Sequence, residues 1–308
     1  MKTAGQFVAY LIIRTIHLPF YVLPYGWTLT LMRGFAMSLW PLGGRYHKIA
    51  YDNISHAYPE MSHADKLQLV KDCWKYLGNV AADALFIPRM SAKWLDKHVI
   101  MDPQTRALEQ EILKSRQPTV VIGGHLGTFE VLAAYGGRAW EGHAIYKRIR
   151  NPFLDRWFKR IRETSGLTLL EMSDAPKAIK AIKKGYWTGF AADQNAGKDG
   201  VFVDFLNRPA STYMGPVLLA YITGARVLFV APVHIPGNKI KVEFTDMGVI
   251  QKTDAPRKEV IHEWTQKWTK VLEGYIARYP EQYFWVHRRW KYTPEMAAHD
   301  EATGRRKI

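Results

Sequence analysis

Hydrophobic and polar positions alternate with a helical period in the segment that follows residue 61. Ser62-x-x-Asp65 is a start signal for a helix, because a Ser hydroxyl can accept a hydrogen bond from the main-chain N–H three residues later. Hydrophobic side chains then recur at steps of three to five residues until Pro88 stops the run, at Leu67, Val70, Trp74, Leu77, Val80 and Leu85. The pattern predicts one amphipathic helix.

From residue 119 the pattern switches repeatedly between strand and helix. Thr119 to Ile122 is a β-branched run that enters Gly123-Gly124-His125, and Thr128 can cap a helix that ends near Gly136-Gly137. Further strands are expected at residues 143–149, 167–171, 186–192 and 227–233, with helices from 151, 174 and 215 and a loop over 195–214. This alternation predicts an α/β fold with a mostly parallel central sheet flanked by helices. Ligands of such folds bind at the carboxyl ends of strands, where His125 and Asp193 lie.

The first 51 residues contain no Asp or Glu and are rich in hydrophobic and aromatic side chains. A regular spanning helix of about 20 apolar residues is interrupted at Arg14, His17, Pro19, Pro24 and Gly26. We interpret residues 1–45 as an uncleaved helical segment that anchors the chain to a membrane, either in the interface or as an irregular insertion. Residues 46–308 then form one α/β domain. The alternative is a helical hairpin buried in a soluble core.

Composition narrows the class of protein. Of 308 residues 47% are hydrophobic, which is enough for a large core and excludes a wholly disordered chain. The 43 Lys and Arg outnumber the 28 Asp and Glu, and a net charge of +15 favours anionic partners such as phospholipid, nucleic acid or an acidic protein. The single cysteine, Cys73, excludes an internal disulfide and a Cys-based zinc cluster, and it favours a reducing compartment.

The candidate chemistry lies in His125-Leu-Gly-Thr-Phe-Glu130. Gly124 and Gly127 allow a turn that brings Glu130 to the imidazole, and a carboxylate bonded to one ring nitrogen raises the basicity of the other. We therefore predict that His125 is a general base. Because no Ser or Cys nucleophile adjoins the pair, the simplest reaction is activation of a substrate hydroxyl, as in acyl transfer. The alternative is a capping Glu beside a histidine that bonds to the main chain.

Cofactors and metals are not expected. The H-E-x-x-H spacing is absent, and neither His143 nor another neighbouring residue stands at a recognisable metal-ligand interval. The basic, aromatic stretch Trp285 to Lys291 contains no nucleic-acid reader motif, and a lipid interface explains it equally well.

Five ordered blocks of the sequence resemble the bacterial lipid A biosynthesis acyltransferases, of the lauroyl and myristoyl type within the lysophospholipid acyltransferase superfamily. The blocks are Gly124 to Glu130, Tyr146-Lys147 with Asn151 to Asp155, Ala192-Asp193-Gln194, Gly200 to Phe205 with Arg208 to Ala210, and Pro280 to Trp285 with His287 to Lys291. The resemblance runs from about Pro19 to Lys291. It implies a glycerolipid acyltransferase-like fold and an enzyme that moves a fatty acyl chain from acyl carrier protein, or from coenzyme A, to a hydroxyl of a lipid A precursor.

The resemblance also implies roles for single residues. His125 corresponds to the base and Glu130 to its partner, while Arg162 and Asp193 match further functional positions, Arg162 on phosphate or on the developing oxyanion. Lys147 and Arg208 are expected to bind substrate. Lys147 stands where an Arg is usual, which keeps the charge and loses the bidentate fork. Phe205-Leu206-Asn207 replaces the common Phe-Phe-Gly, so the acceptor preference is expected to differ.

The partners implied are therefore an acyl donor, a lipid A precursor and membrane phospholipid, with no nucleic acid, at the cytoplasmic face of the inner membrane. Two alternatives stay open. One is a phosphatidylinositol mannoside-type or other glycolipid acyltransferase, whose motif typically has Asp in place of Glu130. The other is a non-catalytic basic protein that binds anionic lipid or nucleic acid.

Overall fold

A computed structural model describes residues 2–305 of the protein and contains nine β-strands in this range. They are Val99–Ile100 (β1), Thr119–Gly123 (β2), His143–Tyr146 (β3), Thr168–Glu171 (β4), Trp187–Ala191 (β5), Val201–Phe205 (β6), Arg208–Thr212 (β7), Arg226–Ile235 (β8) and Lys239–Val249 (β9). Seven of them form one sheet in the order β1-β9-β8-β2-β5-β3-β4, and β6 and β7 form a separate antiparallel hairpin. Strands β8, β2, β5, β3 and β4 are parallel, whereas β9 runs antiparallel to β8. The predicted α/β class with a mostly parallel sheet is confirmed.

Helices connect and flank these strands. The α-helices are Lys2–His17 (α1), Tyr25–Ser38 (α2), Gly44–Ala57 (α3), His63–Phe86 (α4), Ala92–His98 (α5), Pro103–Ser115 (α6), Phe129–Ala139 (α7), Pro152–Glu163 (α8), Ala175–Lys183 (α9), Gly215–Thr223 (α10), Arg257–Arg278 (α11) and Pro294–Ala302 (α12). The Ser62 hydroxyl accepts from the Asp65 N–H at 3.1 Å, as the start signal of α4 predicts. Asn151 caps α8 by accepting from two main-chain N–H groups.

Helix α7 ends at Ala139, close to the predicted end near Gly136-Gly137. The glycine at 137 lets this helix lie directly on the segment before β4, where a Cβ would stand 2.4 Å from the Leu167 nitrogen. Two other local predictions are wrong. Thr128 precedes α7 but makes no side-chain cap hydrogen bond. The expected loop over 195–214 contains the β6–β7 hairpin, which reverses at Leu206 and Asn207 with φ of 51° and 62°. The interpretation as a loop missed the strand signal of Val201 to Phe205, which is rich in β-branched and aromatic residues.

The central sheet is buried on both faces, which explains the unbroken apolar run of β2. Val120 and Ile122 face one hydrophobic core, which also contains residues of α9, α10 and α11. Val121 faces a second core on the other side, together with residues of α2, α4, α6, α7 and α8. The carboxyl ends of the parallel strands therefore open between two helical layers.

The N-terminal helices have one packed face and one exposed face. Helix α2 packs on α4 and buries Tyr25, while Trp27 and Phe35 on its other side are exposed. Helix α1 packs on α8, where the Phe7 and Phe153 ring centroids are 5.2 Å apart, and its remaining surface exposes Val8, Leu11, Ile12 and Ile16. Among residues 2–305, no helix combines the length and the hydropathy needed to cross a bilayer. The membrane-anchoring role of this segment and the boundary at residue 45 remain predictions.

Candidate active site

Strand register brings His125 and Asp193 together. In the neighbouring parallel strands β2 and β5, Gly123 pairs with Ala191, so each of the two candidate residues lies two positions beyond a paired residue. The ladder extends by one further hydrogen bond, from the Ala192 N–H to the Gly123 carbonyl at 3.1 Å. Because adjacent strands are about 4.8 Å apart, both side chains reach the same point at the edge of the sheet.

Two hydrogen bonds join this pair. Nδ1 of His125 donates to Oδ1 of Asp193 at 2.6 Å, and the His125 main-chain N–H donates to Oδ2 at 3.0 Å. A proton held on Nδ1 leaves the lone pair on Nε2, which is 3.3 Å from the amide nitrogen of Gln194. The arrangement presents the imidazole as a base on its Nε2 side.

The electrostatic environment favours a strong base. Burial lowers the pKa of His125, but the charge of Asp193 and its hydrogen bond act more strongly together and raise it overall. Burial raises the pKa of Asp193, whereas the imidazole, the two hydrogen bonds from His125 and the charge of Arg289 lower it overall. The Asp193 side chain is only 3% exposed and that of His125 is 22% exposed, so the base faces an opening and its partner does not.

Glu130 occupies a different place from the one the sequence predicts. Its carboxylate accepts from Nε and Nη2 of Arg162 at 2.9 and 2.5 Å, and its partner is therefore a guanidinium and not the imidazole. The expected hydrogen bond between Glu130 and His125 is wrong, because Nδ1 points toward the β5 end of the sheet while Glu130 lies in the first turn of α7, opposite α8. Both Glu130 and Arg162 still line the cavity that His125 faces, and their functional roles remain predictions.

A cavity of about 540 Å³ adjoins His125 and is lined by residues of the central sheet and of α7, α9 and α10. Its deeper walls are mostly apolar and include Val121, Gly189 and Val230. Trp140 and Trp187 line its inner part, and their rings stack with centroids 4.6 Å apart. The indole N–H of Trp140 donates to the buried Glu109 carboxylate at 2.8 Å, which fixes this wall in position.

The remaining predicted residues differ in location. Lys147 follows β3 and is an exposed residue on the cavity lining. Arg208 begins β7 and is not among the lining residues; its guanidinium lies over the Trp290 ring, 5.8 Å from the centroid. Within the part of the chain that the structure describes, no group of three or more His, Cys, Asp or Glu side chains could hold a metal ion.

Sequence reasoning missed a group of residues around the pair. Gln194 approaches Nε2 of His125, and His287 accepts a hydrogen bond from the Asn195 N–H at 3.1 Å. Arg289 is 2% exposed and contributes charge near Asp193. Three of these four lie within the sequence blocks that carry the family resemblance, but no local periodicity or spacing assigns them a role.

Comparisons with known proteins point to one family of enzymes. Residues 3–292 match the family described as bacterial lipid A biosynthesis acyltransferase. The chain is 29% identical over 259 residues to the lipid A biosynthesis lauroyltransferase of Escherichia coli K12, covering 82% of this chain and 81% of the relative. It is 26% identical over 263 residues to the palmitoleoyltransferase of the same organism, with the same coverage, and 24% identical over 266 residues to a lipid A biosynthesis acyltransferase of Haemophilus influenzae, covering 85% and 83%.

A match over nearly the whole chain includes the sheet, the histidine motif and the segment around residue 287. The chain belongs to the bacterial lipid A biosynthesis acyltransferase family and is an acyltransferase.

Proposed function

We propose that this enzyme transfers a fatty acyl chain from acyl carrier protein, or from coenzyme A, to a hydroxyl of a lipid A precursor at the cytoplasmic face of the inner membrane. The observation that carries the proposal is the His125–Asp193 pair at one end of a deep, mostly apolar cavity. A base next to an apolar cavity suits a reaction between a hydroxyl and a thioester that carries a long hydrocarbon chain.

The proposed chemical step uses His125 as the base. Nε2 takes the proton of the acceptor hydroxyl while its oxygen attacks the thioester carbonyl carbon, and the new C–O bond gives a tetrahedral intermediate. The C–S bond then breaks, and the imidazolium returns the proton to the leaving thiolate. Asp193 stabilises the imidazolium and keeps Nδ1 protonated, so that Nε2 is the reacting nitrogen.

Arg162 is the proposed source of positive charge for the developing oxyanion or for an acceptor phosphate. Its side chain lines the cavity and is held by two hydrogen bonds to Glu130, which leave the planar guanidinium in one orientation. A fixed cation in a partly dehydrated site stabilises negative charge more effectively than a solvated one. In this proposal Glu130 acts through Arg162, and Lys147 adds charge at the cavity lining.

The inner cavity is the proposed site of the acyl chain. His125 lies six positions after Thr119, which pairs with Trp187, so a cavity that extends from His125 to the level of Trp187 is about 20 Å long. Gly189 pairs with Val121 and lines the cavity, where the absence of a side chain keeps the middle of the cavity open.

Membrane association is supported by the exposed hydrophobic surface of α1 and α2. Phe7, Leu11, Ile12, Trp27 and Phe35 are exposed, and no acidic residue occurs in this part of the sequence to oppose an anionic surface. Because α1 packs on α8, a membrane bound there would lie beside the helix that carries Arg162. Lipid acceptor and active site would then be close together.

An acidic carrier protein is supported by a separate set of charges. Exposed basic side chains lie on α8 and α9, which both contact β4, at Arg156, Arg160, Lys177, Lys180 and Lys183. Complementary charge would speed the encounter with an acidic carrier, so added salt is expected to raise the KM for the carrier-linked donor.

The test is acyl transfer by the purified enzyme in detergent, with an acyl carrier protein thioester or acyl-coenzyme A as donor and an under-acylated lipid A precursor as acceptor. Mass spectrometry should show the precursor gaining one acyl group with at least one donor. A reaction without acceptor measures hydrolysis of the donor alone. Failure to acylate the precursor with either donor, by a folded enzyme, would contradict the proposal.

A further inference from the structure

The segment that follows α11 contacts both halves of the His125–Asp193 pair. On the histidine side, the Phe284 N–H donates to the His125 carbonyl at 3.0 Å, and the Gly127 N–H donates to the Gln282 carbonyl at 3.0 Å. Leu126 and Tyr283 form a β-bridge between these two bonds. The turn that presents the imidazole is therefore held by main-chain hydrogen bonds from a segment more than 150 residues away in sequence.

The same segment holds the loop that carries Asp193. Nε2 of His287 accepts from the Asn195 N–H at 3.1 Å, and Nδ2 of Asn195 donates to the Arg289 carbonyl at 3.1 Å. Arg289 is 2% exposed, and its guanidinium donates to the Ser211 carbonyl and to the Thr212 hydroxyl. We call residues 282–289 the clasp, because they join the two loops that supply the base and its partner.

Gln282 anchors the clasp to the sheet. Its side-chain amide accepts from the His234 N–H at 2.9 Å and donates to the His234 carbonyl at 2.9 Å. His234 lies on β8, and its ring bonds to the buried Tyr25 and Tyr76 hydroxyls. The clasp is thus fixed to the central sheet as well as to the two loops.

The imidazole of His287 must be neutral to accept the Asn195 hydrogen bond, because a protonated ring has no acceptor nitrogen. Burial lowers its pKa to about 4, so the ring is neutral under physiological conditions. The acceptor is therefore always available where the enzyme works.

We propose that His287 is a positioning residue for catalysis, which holds the Asp193 loop at the distance from His125 that the 2.6 Å contact requires, by accepting the Asn195 N–H. This inference rests on the proposed acyl-transfer function. Loss of the acceptor would leave a partly buried N–H unsatisfied and loosen the loop by a fraction of an ångström or more. Misplacement of about 1 Å can cost roughly 10²-fold in rate, so we expect a loss in kcat larger than any change in KM.

The test compares His287→Leu, which removes the acceptor, with His287→Gln, whose Oε1 can accept the same N–H. We expect kcat to fall about 10–100-fold in His287→Leu and to recover substantially in His287→Gln, with donor KM changing little in either. Ile112→Val is the matched control, because it weakens a fully buried core position on α6 away from the clasp. It should leave kcat unchanged when all variants are assayed below their melting temperatures.

A second readout separates positioning from general destabilisation. NMR titration of the His125 ring measures its pKa without substrate. The charged or titratable groups acting on this ring are Asp193, Glu130, Arg162 and His287. Because the close contact with Asp193 raises the His125 pKa, a loosened loop should lower it in His287→Leu and not in Ile112→Val.

The outcomes are distinct. A folded His287→Leu with wild-type kcat and an unchanged His125 pKa overturns the inference. A loss of kcat that His287→Gln does not relieve, or that occurs without a change in the His125 pKa, also overturns it. Absence of acyl transfer in the wild type would contradict the proposed function, while the titration would still decide whether His287 positions the pair.

Discussion

Gly189→Val should shorten the acyl chain that the enzyme prefers. Gly189 lines the inner cavity, and a Cβ built there meets only the His143 carbonyl oxygen at 3.7 Å, an ordinary contact. Valine also suits a strand position, so the variant should fold. Gly189 lies two residues from Trp187 along β5, which is about 7 Å. An extended hydrocarbon chain advances about 1.25 Å per carbon, because its bonds are about 1.5 Å long and meet at tetrahedral angles. The valine side chain should therefore exclude about five carbons of the acyl chain from the inner cavity.

The energetic effect of this change is large enough to measure. Each buried methylene contributes about 0.8 kcal/mol, so five methylenes excluded from the cavity cost up to about 4 kcal/mol, or about 10³-fold in kcat/KM for the longest accepted chain. The assay measures kcat/KM for a series of donors that differ only in chain length. Gly274→Val, at an exposed position on α11 outside the cavity, is the matched control and should keep the wild-type profile. An unchanged profile in folded Gly189→Val would refute the placement of the acyl chain.

Three further predictions concern the charge pairs and the membrane surface. Asp193→Asn should lower kcat roughly 10³–10⁴-fold and move the midpoint of the pH–rate profile to lower pH, because the carboxylate that raises the pKa of the imidazole is lost; an unmoved midpoint would contradict this. Glu130→Gln should lower the free energy of unfolding by about 2 kcal/mol, which is less than for a fully buried ion pair because Arg162 is 25% exposed. A variant as thermally stable as the wild type would contradict this prediction. Leu11→Gln should weaken sedimentation with anionic phospholipid vesicles about tenfold, whereas Leu67→Gln, at a similarly exposed leucine, should not; equal losses would count against α1 as the lipid-binding surface.

The local pattern of hydrophobic and polar residues was sufficient to predict much of the fold, because the parallel strands are short, buried and separated by helices. The β-branched run of β2 and the start signal of α4 both gave the observed elements. The antiparallel β9 and the β6–β7 hairpin depend on pairing and on a turn with positive φ, which periodicity does not encode. Gly137 lies close to the predicted helix end, but its close contact with the segment before β4 is visible only in the folded structure.

The site was only partly predictable for the same reason. His125 is identifiable from its glycine-rich turn after a strand, but its hydrogen-bond partner lies 68 residues away and is selected by the register of β2 on β5. Proximity in sequence favoured Glu130, which instead pairs with Arg162 across two helices. The contacts of His287 connect elements still farther apart, so only the folded structure assigns them a role.

The central claim is that His125 takes the proton of the acceptor hydroxyl, and the kcat of His125→Gln tests it most directly. Glutamine retains a polar side chain of similar length but cannot act as a base near neutral pH, so acyl transfer to a lipid A precursor should fall about 10²–10⁴-fold. Thermal unfolding and vesicle binding should remain close to those of the wild type. Wild-type kcat in folded His125→Gln would contradict the proposed mechanism.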